Sequence, residues 1–276
     1  MPEKEHYCVA GISVSHSVSE IRPDQDFPLH MHDSYEIYCF VSGNVKYVVE
    51  GRTYLLSPGS LMLIRSAESH RPIVEMGEPY ERYVVNFRPE ILMDMGIPAE
   101  LLRTFTDREL GERNQYLPSQ FQGVEPLGLI RQMFSCCEGA VTEAAIYSHL
   151  TALLCATHSI FANQTQLVEP KEENRVGREL LEYINGHLTE DISLSILAEH
   201  VHMSPSQINR VFKRVTGTSV YHYIVKKRLI AAQERIIAGE GAVSASQKCG
   251  FRDYSSFFRL YKKQMGVPPT AVKPHQ

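Results

Sequence analysis

Two stretches of the chain decide the fold of its C-terminal part: Ser204–Gly217 reads SPSQINRVFKRVTG, and Asp253–Gly266 reads DYSSFFRLYKKQMG. They align with each other at an offset of 49 residues. Each begins with a good N-cap residue and ends on a glycine that can adopt the left-handed conformation found after helices. In the first copy Pro205 suits the first helical position, and Gln207 completes a capping box with Ser204. The sequence therefore predicts one helix within each stretch.

Each predicted helix has one apolar face and one polar face. Ile208 and Phe212 recur at helical spacing in the first copy, and Phe257 and Tyr261 take the matching places in the second, so these faces are expected to enter a core. The opposite faces suit the major groove of DNA, because Asn, Gln and Arg can bond to base edges while Lys and Arg reach phosphates. They comprise Ser206, Gln207, Asn209, Arg210, Lys213 and Arg214 in the first helix, and Ser255, Ser256, Phe258, Arg259, Lys262 and Lys263 in the second.

A shorter helix is predicted ahead of each of these helices, over Leu194–His200 and Ala245–Lys248, with a brief turn between the members of each pair. Such a pair is a helix-turn-helix unit. A long helix over Val220–Ala238 would hold the two units rigidly. Both recognition helices would then enter successive major grooves, about 34 Å apart on one face of DNA.

The charge of the chain is unevenly distributed. From Arg175 to Gln276 there are 15 Lys and Arg against 8 Asp and Glu, a net of +7, whereas the remainder carries 13 against 24, a net of −11. A basic region attached to an acidic one predicts that the C-terminal part meets a polyanion. A polar helix face can also be merely solvated. Its duplication within a basic region favours DNA as the partner.

The region from Arg175 to Gln276 resembles the DNA-binding domain of the AraC/XylS family of transcription regulators. The resemblance implies that Ser206, Gln207, Asn209 and Arg210, with Tyr254, Ser255, Phe258 and Arg259, face DNA. The matching residues are Leu197, Ala198, Met203, Ser204, Pro205, Arg210, Phe212, Lys213, Gly217, Tyr223, Arg228, Leu229, Ala232, Gly250, Phe251, Asp253, Phe257, Arg259, Lys262, Lys263, Gly266, Val267, Pro268 and Pro269.

The departures from this family pattern lie in the second unit and the tail. Ser244-Ala245-Ser246 stands where the family usually has Glu-Ile-Ala, which removes a bulky core residue, and Val272 replaces the usual aromatic residue. Phe258 is apolar at a position expected to face the groove, where it either contacts a thymine methyl group or adds to the core. The second unit is therefore expected to discriminate bases less strongly than the first.

The N-terminal part has a different pattern, in which short strands alternate with turn signals between Phe27 and Phe87. This spacing is typical of an antiparallel barrel or sandwich. The predicted strands are Glu36–Val41, Val45–Val49, Tyr54–Leu56, Leu61–Ile64 and Tyr83–Phe87.

Four residues, His30, His32, Glu36 and Gly43, match the first motif of the cupin family, and His70 takes the remaining ligand position in an otherwise degraded second motif. The resemblance implies a small double-stranded β-helix. AraC-type sensor domains resemble cupins, and the family resemblance implies a small effector, often a sugar, bound without a catalytic metal.

The chemistry of this motif leaves three interpretations open. The favoured one is an effector pocket lined by His30, His32, Glu36, Tyr38 and His70, with no metal required. The three imidazoles and the carboxylate are also candidate ligands for a divalent metal, and a metal-dependent cupin enzyme carrying a DNA-binding module is the main alternative. An architectural DNA binder without a ligand is the third. The chain shows no hydrolase, kinase or dehydrogenase fingerprint, and we expect a regulator, not an enzyme.

The sequence as a whole predicts an α+β protein of two domains. We expect a cupin-like effector-binding barrel over residues 1–90, a helical segment over 91–162, a linker over 163–174 and a DNA-binding domain over 175–276. The family resemblance implies a homodimer formed through the helices of Pro126–Ala162, with promoter DNA and RNA polymerase as partners and activation as the expected output. The six cysteines form no CxxC pair, no secretory signal is recognised, and no stretch is expected to reach membrane-span length. A cytoplasmic location without membrane contact fits these features.

Overall fold

A computed structural model describes residues 3–9, 11–20, 27–135, 141–163 and 175–272. The chain divides into two compact units, Met1–Phe27 with Ser34–Lys171, and Pro28–Asp33 with Glu172–Gln276. The six residues 28–33, which the sequence assigns to the barrel, therefore group with the C-terminal unit. The expected linker lies outside the described residues, except for Asn163.

The N-terminal unit is built on two antiparallel sheets. The first has the strand order β1-β2-β8-β3-β6-β9, and the second has the order β5-β4-β7. The strands are β1 (Glu3–Val9), β2 (Ile12–Ser19), β3 (Tyr35–Ser42), β4 (Asn44–Val49), β5 (Arg52–Leu55), β6 (Leu61–Ile64), β7 (His70–Glu75), β8 (Tyr80–Phe87) and β9 (Gln115–Tyr116). All five predicted strands overlap observed ones, whereas the sequence pattern did not identify β1, β2, β7 or β9.

Alternation along the strands gives this unit two apolar clusters. On β3, Tyr38 and Phe40 join a cluster that includes Tyr47 and Met62, so this cluster contains residues of both sheets and is the interior of the barrel. Ile37 and its alternating neighbours face the other way, toward the helices. The side chains of a strand point to opposite faces in turn, and each face of β3 is therefore buried.

Helices cover the outer face of the first sheet. They are α1 (Glu90–Asp94), α2 (Arg103–Thr106), α3 (Pro126–Ser135) and α4 (Val141–Ala162). The helix α4 is long and apolar enough, by length and composition, to cross a membrane, so the expectation that no stretch reaches that length is wrong. Its residues Ile146, Leu150, Leu153 and Leu154 are fully buried in the apolar cluster against the sheet, which identifies it as a core helix of this unit.

A buried ion pair fixes the loop between β6 and β7 to the segment after α2. The two guanidinium nitrogens of Arg108 donate to the two carboxylate oxygens of Glu68, each at 2.7 Å, and both side chains are fully buried. Gly111 N–H donates to the same carboxylate at 2.8 Å, as does Asn114 Nδ2 at 3.1 Å. Burial alone would raise the pKa of Glu68, but the charge and hydrogen bonds of Arg108 lower it to about 2.

The C-terminal unit is helical. Its helices are α5 (Arg175–Gly186), α6 (Leu194–His200), α7 (Pro205–Thr216), α8 (Val220–Ile237), α9 (Ala242–Lys248) and α10 (Tyr254–Met265). The predicted capping box of Ser204 and Gln207 is present, and Asp253 caps α10. Gly217 and Gly266 adopt the left-handed conformation, with φ of 74° and 77°. The two helix-turn-helix units, α6–α7 and α9–α10, are thus confirmed as structural elements.

The second helix-turn-helix unit, α9–α10, accommodates the smaller side chains of α9. Ala245, at the position where the family has a bulky residue, is fully buried in the apolar cluster around Phe257 and Tyr261. Ser246 is buried beside it, and its hydroxyl donates to the carbonyl oxygen of Val243 at 2.7 Å. Helix α9 begins three residues before the predicted start, at Ala242, and the small residues form part of a regular helix.

The buried ion pair gives a stability prediction. Glu68→Gln leaves the charge of Arg108 buried without its counter-ion, and we expect the free energy of unfolding to fall by about 3–5 kcal/mol at neutral pH. The folded-state pKa of Glu68, about 2, lies below the value of about 4.3 of an unfolded chain. The stabilisation is therefore complete above that unfolded value and is lost as the pH falls through the folded one. Urea unfolding followed by circular dichroism, from pH 7 downward, measures both effects.

The matched control is Asp107→Asn, which breaks the solvent-exposed ion pair of Asp107 with Arg103. Exposed pairs contribute little to stability, and we expect no measurable change. Two results would contradict a stabilising role for the Glu68–Arg108 pair. One is a Glu68→Gln protein as stable as this control, and the other is a Glu68→Gln protein whose stability changes with pH as in the wild type between pH 4 and about 2.

Candidate functional site

The polar face of the first recognition helix, α7, is open to solvent. Its apolar residues Ile208 and Phe212 are fully buried. The six predicted DNA-facing side chains, Ser206, Gln207, Asn209, Arg210, Lys213 and Arg214, are all exposed. One of them has a structural task, because Gln207 Oε1 accepts hydrogen bonds from the backbone N–H and the hydroxyl of Ser204, at 3.0 and 2.8 Å.

The second recognition helix, α10, is open over a smaller area. Ser255, Arg259, Lys262 and Lys263 are exposed, whereas Tyr254, Ser256 and Phe258 are half-buried. Tyr254 packs against the apolar cluster around Phe257, so its ring is partly a core side chain. Among the residues of this unit that the structure describes, Phe258 is not part of that cluster, and its ring centre lies 6.3 Å from that of Tyr254. This position leaves an apolar ring on the outward face.

Basic residues lie in the last turn of both recognition helices, Lys213 and Arg214 on α7, and Lys262 and Lys263 on α10. A cation in this place also stabilises the helix by interacting with its dipole. The same four side chains are exposed, so they can reach phosphates without giving up buried contacts.

One side chain connects the second helix-turn-helix unit to the turn that precedes the first. Arg228, on the connecting helix α8, donates from Nε to the carbonyl oxygen of Leu188 at 2.7 Å, and from Nη2 to that of Glu190. Both acceptors lie in the turn between α5 and α6. Its Nη1 donates to the carbonyl oxygen of Gly250, in the turn between α9 and α10, at 2.9 Å. A single planar guanidinium therefore holds the backbone just before the first helix-turn-helix unit and the turn inside the second.

The backbone at Gly250 is shaped to meet Arg228. Its φ of +83° lies in the left-handed region, and a Cβ atom there would lie 2.9 Å from Arg228 Cζ and 3.0 Å from the carbonyl oxygen of Thr189. The sequence comparison had singled out Arg228 and Gly250 without giving them a role. No local pattern could have done so, because the acceptors are backbone groups 22 to 40 residues away from Arg228.

The barrel interior brings together three of the five predicted effector residues. Glu36 and His70 are buried, and His70 Nε2 lies 3.7 Å from Glu36 Oε1. His70 Nδ1 lies 2.8 Å from the carbonyl oxygen of Glu68. Because a carbonyl only accepts, the Nδ1–H group of His70 donates to it, which leaves Nε2 as the ring nitrogen on the side of Glu36.

Tyrosine hydroxyls extend this polar site. Tyr47 donates to Glu36 Oε1 at 3.2 Å, and the hydroxyls of Tyr38 and Tyr80 lie 2.8 Å apart. The rings of Tyr38 and Tyr47 have centres 4.6 Å apart. Burial, reinforced by the neighbouring tyrosines and Glu36, raises the pKa of Tyr38 and Tyr47 well above their usual value. Burial also raises the pKa of Tyr80, to about 12. All three hydroxyls are neutral hydrogen-bonding groups at physiological pH.

The other two predicted effector residues, His30 and His32, lie in the segment of residues 28–33 that groups with the C-terminal unit. His30 is exposed, and its Nδ1 lies 3.2 Å from the carbonyl oxygen of Pro28. His32 is half-buried. The barrel's own contribution to the predicted site is therefore Glu36, Tyr38 and His70. The sequence analysis did not identify Tyr47 and Tyr80, although Tyr47 lies on a predicted strand and alternation places it on the inner face.

Two sequence models of known families match the chain, an AraC-like ligand binding domain over residues 15–154 and a helix-turn-helix domain over residues 197–274. The predicted fold class, a cupin-like β-rich N-terminal domain followed by a helical DNA-binding domain, is thereby confirmed. The HTH-type transcriptional activator RhaS of Escherichia coli (strain K12 / DH10B) is 23% identical over 265 residues, which cover 91% of this chain and 89% of RhaS. The matching families and this relative are regulators of transcription and not enzymes.

Solved structures also align with the chain. Apo ToxT from Vibrio cholerae covers 95% of this chain and 96% of its own, at 13% identity and a TM-score of 0.39. The DNA-binding domain of AdpA, solved in complex with a target DNA, covers 36% of this chain and 89% of its own, at 23% identity and a TM-score of 0.33.

The exposed face of α7 gives a prediction for DNA binding. Arg210→Ala removes a side chain able to form paired bonds to a base, so specific binding should weaken by about 1–3 kcal/mol with relaxed preference at one base pair. Lys213→Ala, the matched variant one turn further along, should weaken binding to all sequences similarly. It should also reduce the slope of log affinity against log salt concentration by about one. Titration of both variants on cognate and scrambled DNA measures the difference, and equal losses on the two DNAs would refute the role of Arg210.

The close approach at Gly250 gives a second prediction. Gly250→Ala should lower the unfolding temperature, because the added methyl group displaces Arg228. It should also weaken binding to DNA that carries the sequence blocks for both recognition helices. Gly239→Ala is the control, since its φ of +92° imposes the same backbone strain but nothing lies within 4 Å of the new Cβ. Gly239→Ala should lower the free energy of unfolding only by the cost of the left-handed backbone conformation, about 1–2 kcal/mol. Equal effects of the two variants on stability and on DNA binding would show that the contact with Arg228 has no role.

Proposed function

Because the chain belongs to the AraC/XylS family of transcription regulators, we propose that it binds promoter DNA through α7 and α10 and is controlled by a small effector bound in the barrel. The observation that supports DNA binding most directly is the pair of capped helices with exposed polar faces, joined through Arg228. An arrangement of this kind lets one subunit present both helices to neighbouring major grooves.

The proposed effector site is the polar interior of the barrel. Glu36, His70, Tyr38, Tyr47 and Tyr80 offer buried hydrogen-bonding groups suited to a small molecule rich in hydroxyl groups, such as a sugar. His30 and His32 stay predicted effector residues on the strength of the cupin motif alone. Ligand pockets of this kind combine an apolar wall with a few fixed polar groups. Effector binding controls DNA binding only if the two conformations of the protein differ in their affinity for the effector.

A divalent metal is the second candidate occupant, and it is favoured by one observation. His70 Nε2 lies 3.7 Å from Glu36 Oε1 in the barrel, and imidazole with carboxylate suits several divalent metals. The metal would serve effector sensing, since the relatives are regulators. Metal analysis of protein purified without added metal distinguishes the two occupants.

We further propose that the protein is a cytoplasmic activator that recruits RNA polymerase. The relative RhaS is a transcriptional activator, which supports activation in preference to repression. The proposed division of labour is an effector-binding barrel in residues 1–90, a dimerisation segment in 91–162, a linker in 163–174 and DNA binding in 175–276.

The decisive experiment is selection of DNA from a random pool by the purified full-length protein, at two salt concentrations and with or without a panel of sugars. We expect an enriched motif of two blocks about one helical turn apart, with affinity that falls steeply as salt rises. A motif that changes in affinity with one sugar supports both proposals. Salt-sensitive binding without any enriched motif would reject sequence-specific regulation.

Dimerisation through α4 gives a separate prediction. One stripe of exposed and half-buried positions on this helix carries small residues, Ala145, Ser148, Ala152, Cys155 and Ser159, which permit close approach of a second helix. In a parallel pair the two copies of Cys155 would lie at the same level, and in an antiparallel pair centred on the helix they would be offset by about 10 Å along its axis. A short bismaleimide should therefore yield a covalent dimer. Cys155→Ser should abolish it without changing the dimer seen by analytical ultracentrifugation, and a monomer in that measurement would overturn the proposal.

A further inference from the structure

Strand β8 contributes a second set of polar groups to the barrel interior. Tyr80 and Val84 belong to the interior cluster, whereas Tyr83 and Val85 belong to the cluster under the helices. Since side chains alternate along a strand, Arg82 is on the interior row with Tyr80 and Val84. Neither the cupin motif nor the family pattern assigns Arg82 a role.

The guanidinium of Arg82 lies over two neighbouring aromatic rings. Its Cζ atom lies 4.3 Å from the ring centre of Tyr80 and 5.7 Å from that of Phe27, so stacking fixes its position. Its Nη1 is buried and, among the residues that the structure describes, has no hydrogen-bond acceptor. The same part of the chain contains no carboxylate paired with Arg82. A buried charged donor without an acceptor is costly.

A buried acceptor lies further along the same row. Asn86 Oδ1 is buried without a donor among the described residues, and its strand partner on β3 is Glu36. Arg82 is paired with Phe40 at the opposite end of the same strand pair, four residues or about 13 Å from Asn86. The interior therefore has a cationic end at Arg82 and an end rich in acceptors at Asn86 and Glu36. Tyr38, opposite Val84, lies between these two ends, and its hydroxyl is hydrogen-bonded to that of Tyr80, which precedes Arg82 on β8.

We propose that the effector is a small acid, whose carboxylate accepts hydrogen bonds from Arg82 and whose hydroxyl groups donate toward Asn86 and Glu36. A polyhydroxy carboxylate, such as a sugar acid, has both kinds of group. The inference rests on the proposed effector site and narrows its ligand class. A guanidinium binds a carboxylate through two parallel charge-assisted bonds. A neutral sugar would leave the buried Nη1 of Arg82, on an otherwise half-buried side chain, without a charged acceptor.

The test compares matched neutral and acidic probes on the full-length protein. D-glucose, D-galactose and L-rhamnose form the neutral set, and D-gluconate, D-glucuronate and D-galacturonate form the acidic set. Thermal unfolding and calorimetric titration measure binding. We expect at least one acid to raise the unfolding temperature and to bind about ten- to hundredfold more tightly than the corresponding neutral sugar, as a charge-assisted pair requires.

Variants then assign the effect to Arg82. Arg82→Met should bind the acid more weakly by the same factor that separates the acid from the neutral sugar. Arg82→Lys keeps the charge but not the two parallel N–H donors, so it should lose only part of this affinity. Arg103→Gln, an exposed arginine of the same unit, is the control and should bind the acid normally. Circular dichroism checks the fold, and the comparison of probes on the wild-type protein does not depend on the variants.

The outcomes separate this inference from the proposed function. A neutral sugar that binds wild type and Arg82→Met equally well would overturn the acidic effector while leaving the barrel as an effector site. If neither set of probes changes the unfolding temperature, the acidic effector is rejected. If the selected DNA motif and its affinity are also the same with and without the sugars, the result counts against control by a small effector.

Discussion

The DNA-binding unit depends on the bonds between the Arg228 guanidinium and three backbone carbonyl groups. Two of these carbonyls precede the first helix-turn-helix unit, and the third lies inside the second. A protein that reads two major grooves with one subunit must hold its two recognition helices at a fixed separation, because the DNA repeat is fixed. The rigid fork of arginine serves this purpose better than the flexible ammonium of lysine.

Two arginines of the N-terminal unit illustrate how burial separates structure from function. Arg108 is completely buried, and its nitrogens donate to Glu68 and to backbone carbonyls such as that of Leu63. Arg82 is held by aromatic rings, and its Nη1 lacks an acceptor in the part of the chain that the structure describes. The first arginine fastens a loop to the barrel. The second presents a charged donor to the interior, which is what a binding site for an anion requires.

The barrel also shows why a degraded motif is a poor guide to chemistry. The cupin pattern selects Glu36 and His70, and these two residues do meet in the interior. It omits Tyr47, Tyr80, Arg82 and Asn86, which supply most of the remaining polar groups. Alternation alone would place Tyr47 inside, since it lies on a predicted strand. The inward row of β8 follows only from its pairing with β2 and β3, and the sequence did not identify β2.

The sequence by itself determined the helical C-terminal unit almost completely, because its signals are local. N-caps, a capping box and closing glycines lie within a few residues of the helix ends that they define, and α6 begins and ends where predicted. The tertiary structure alone decided which distant groups meet. The contacts of Arg228 with Leu188 and Gly250, and of Arg108 with Glu68, join residues 22 to 40 positions apart through backbone carbonyls or a fully buried pair. Such contacts leave no periodic trace in a sequence, since a backbone carbonyl is the same at every residue.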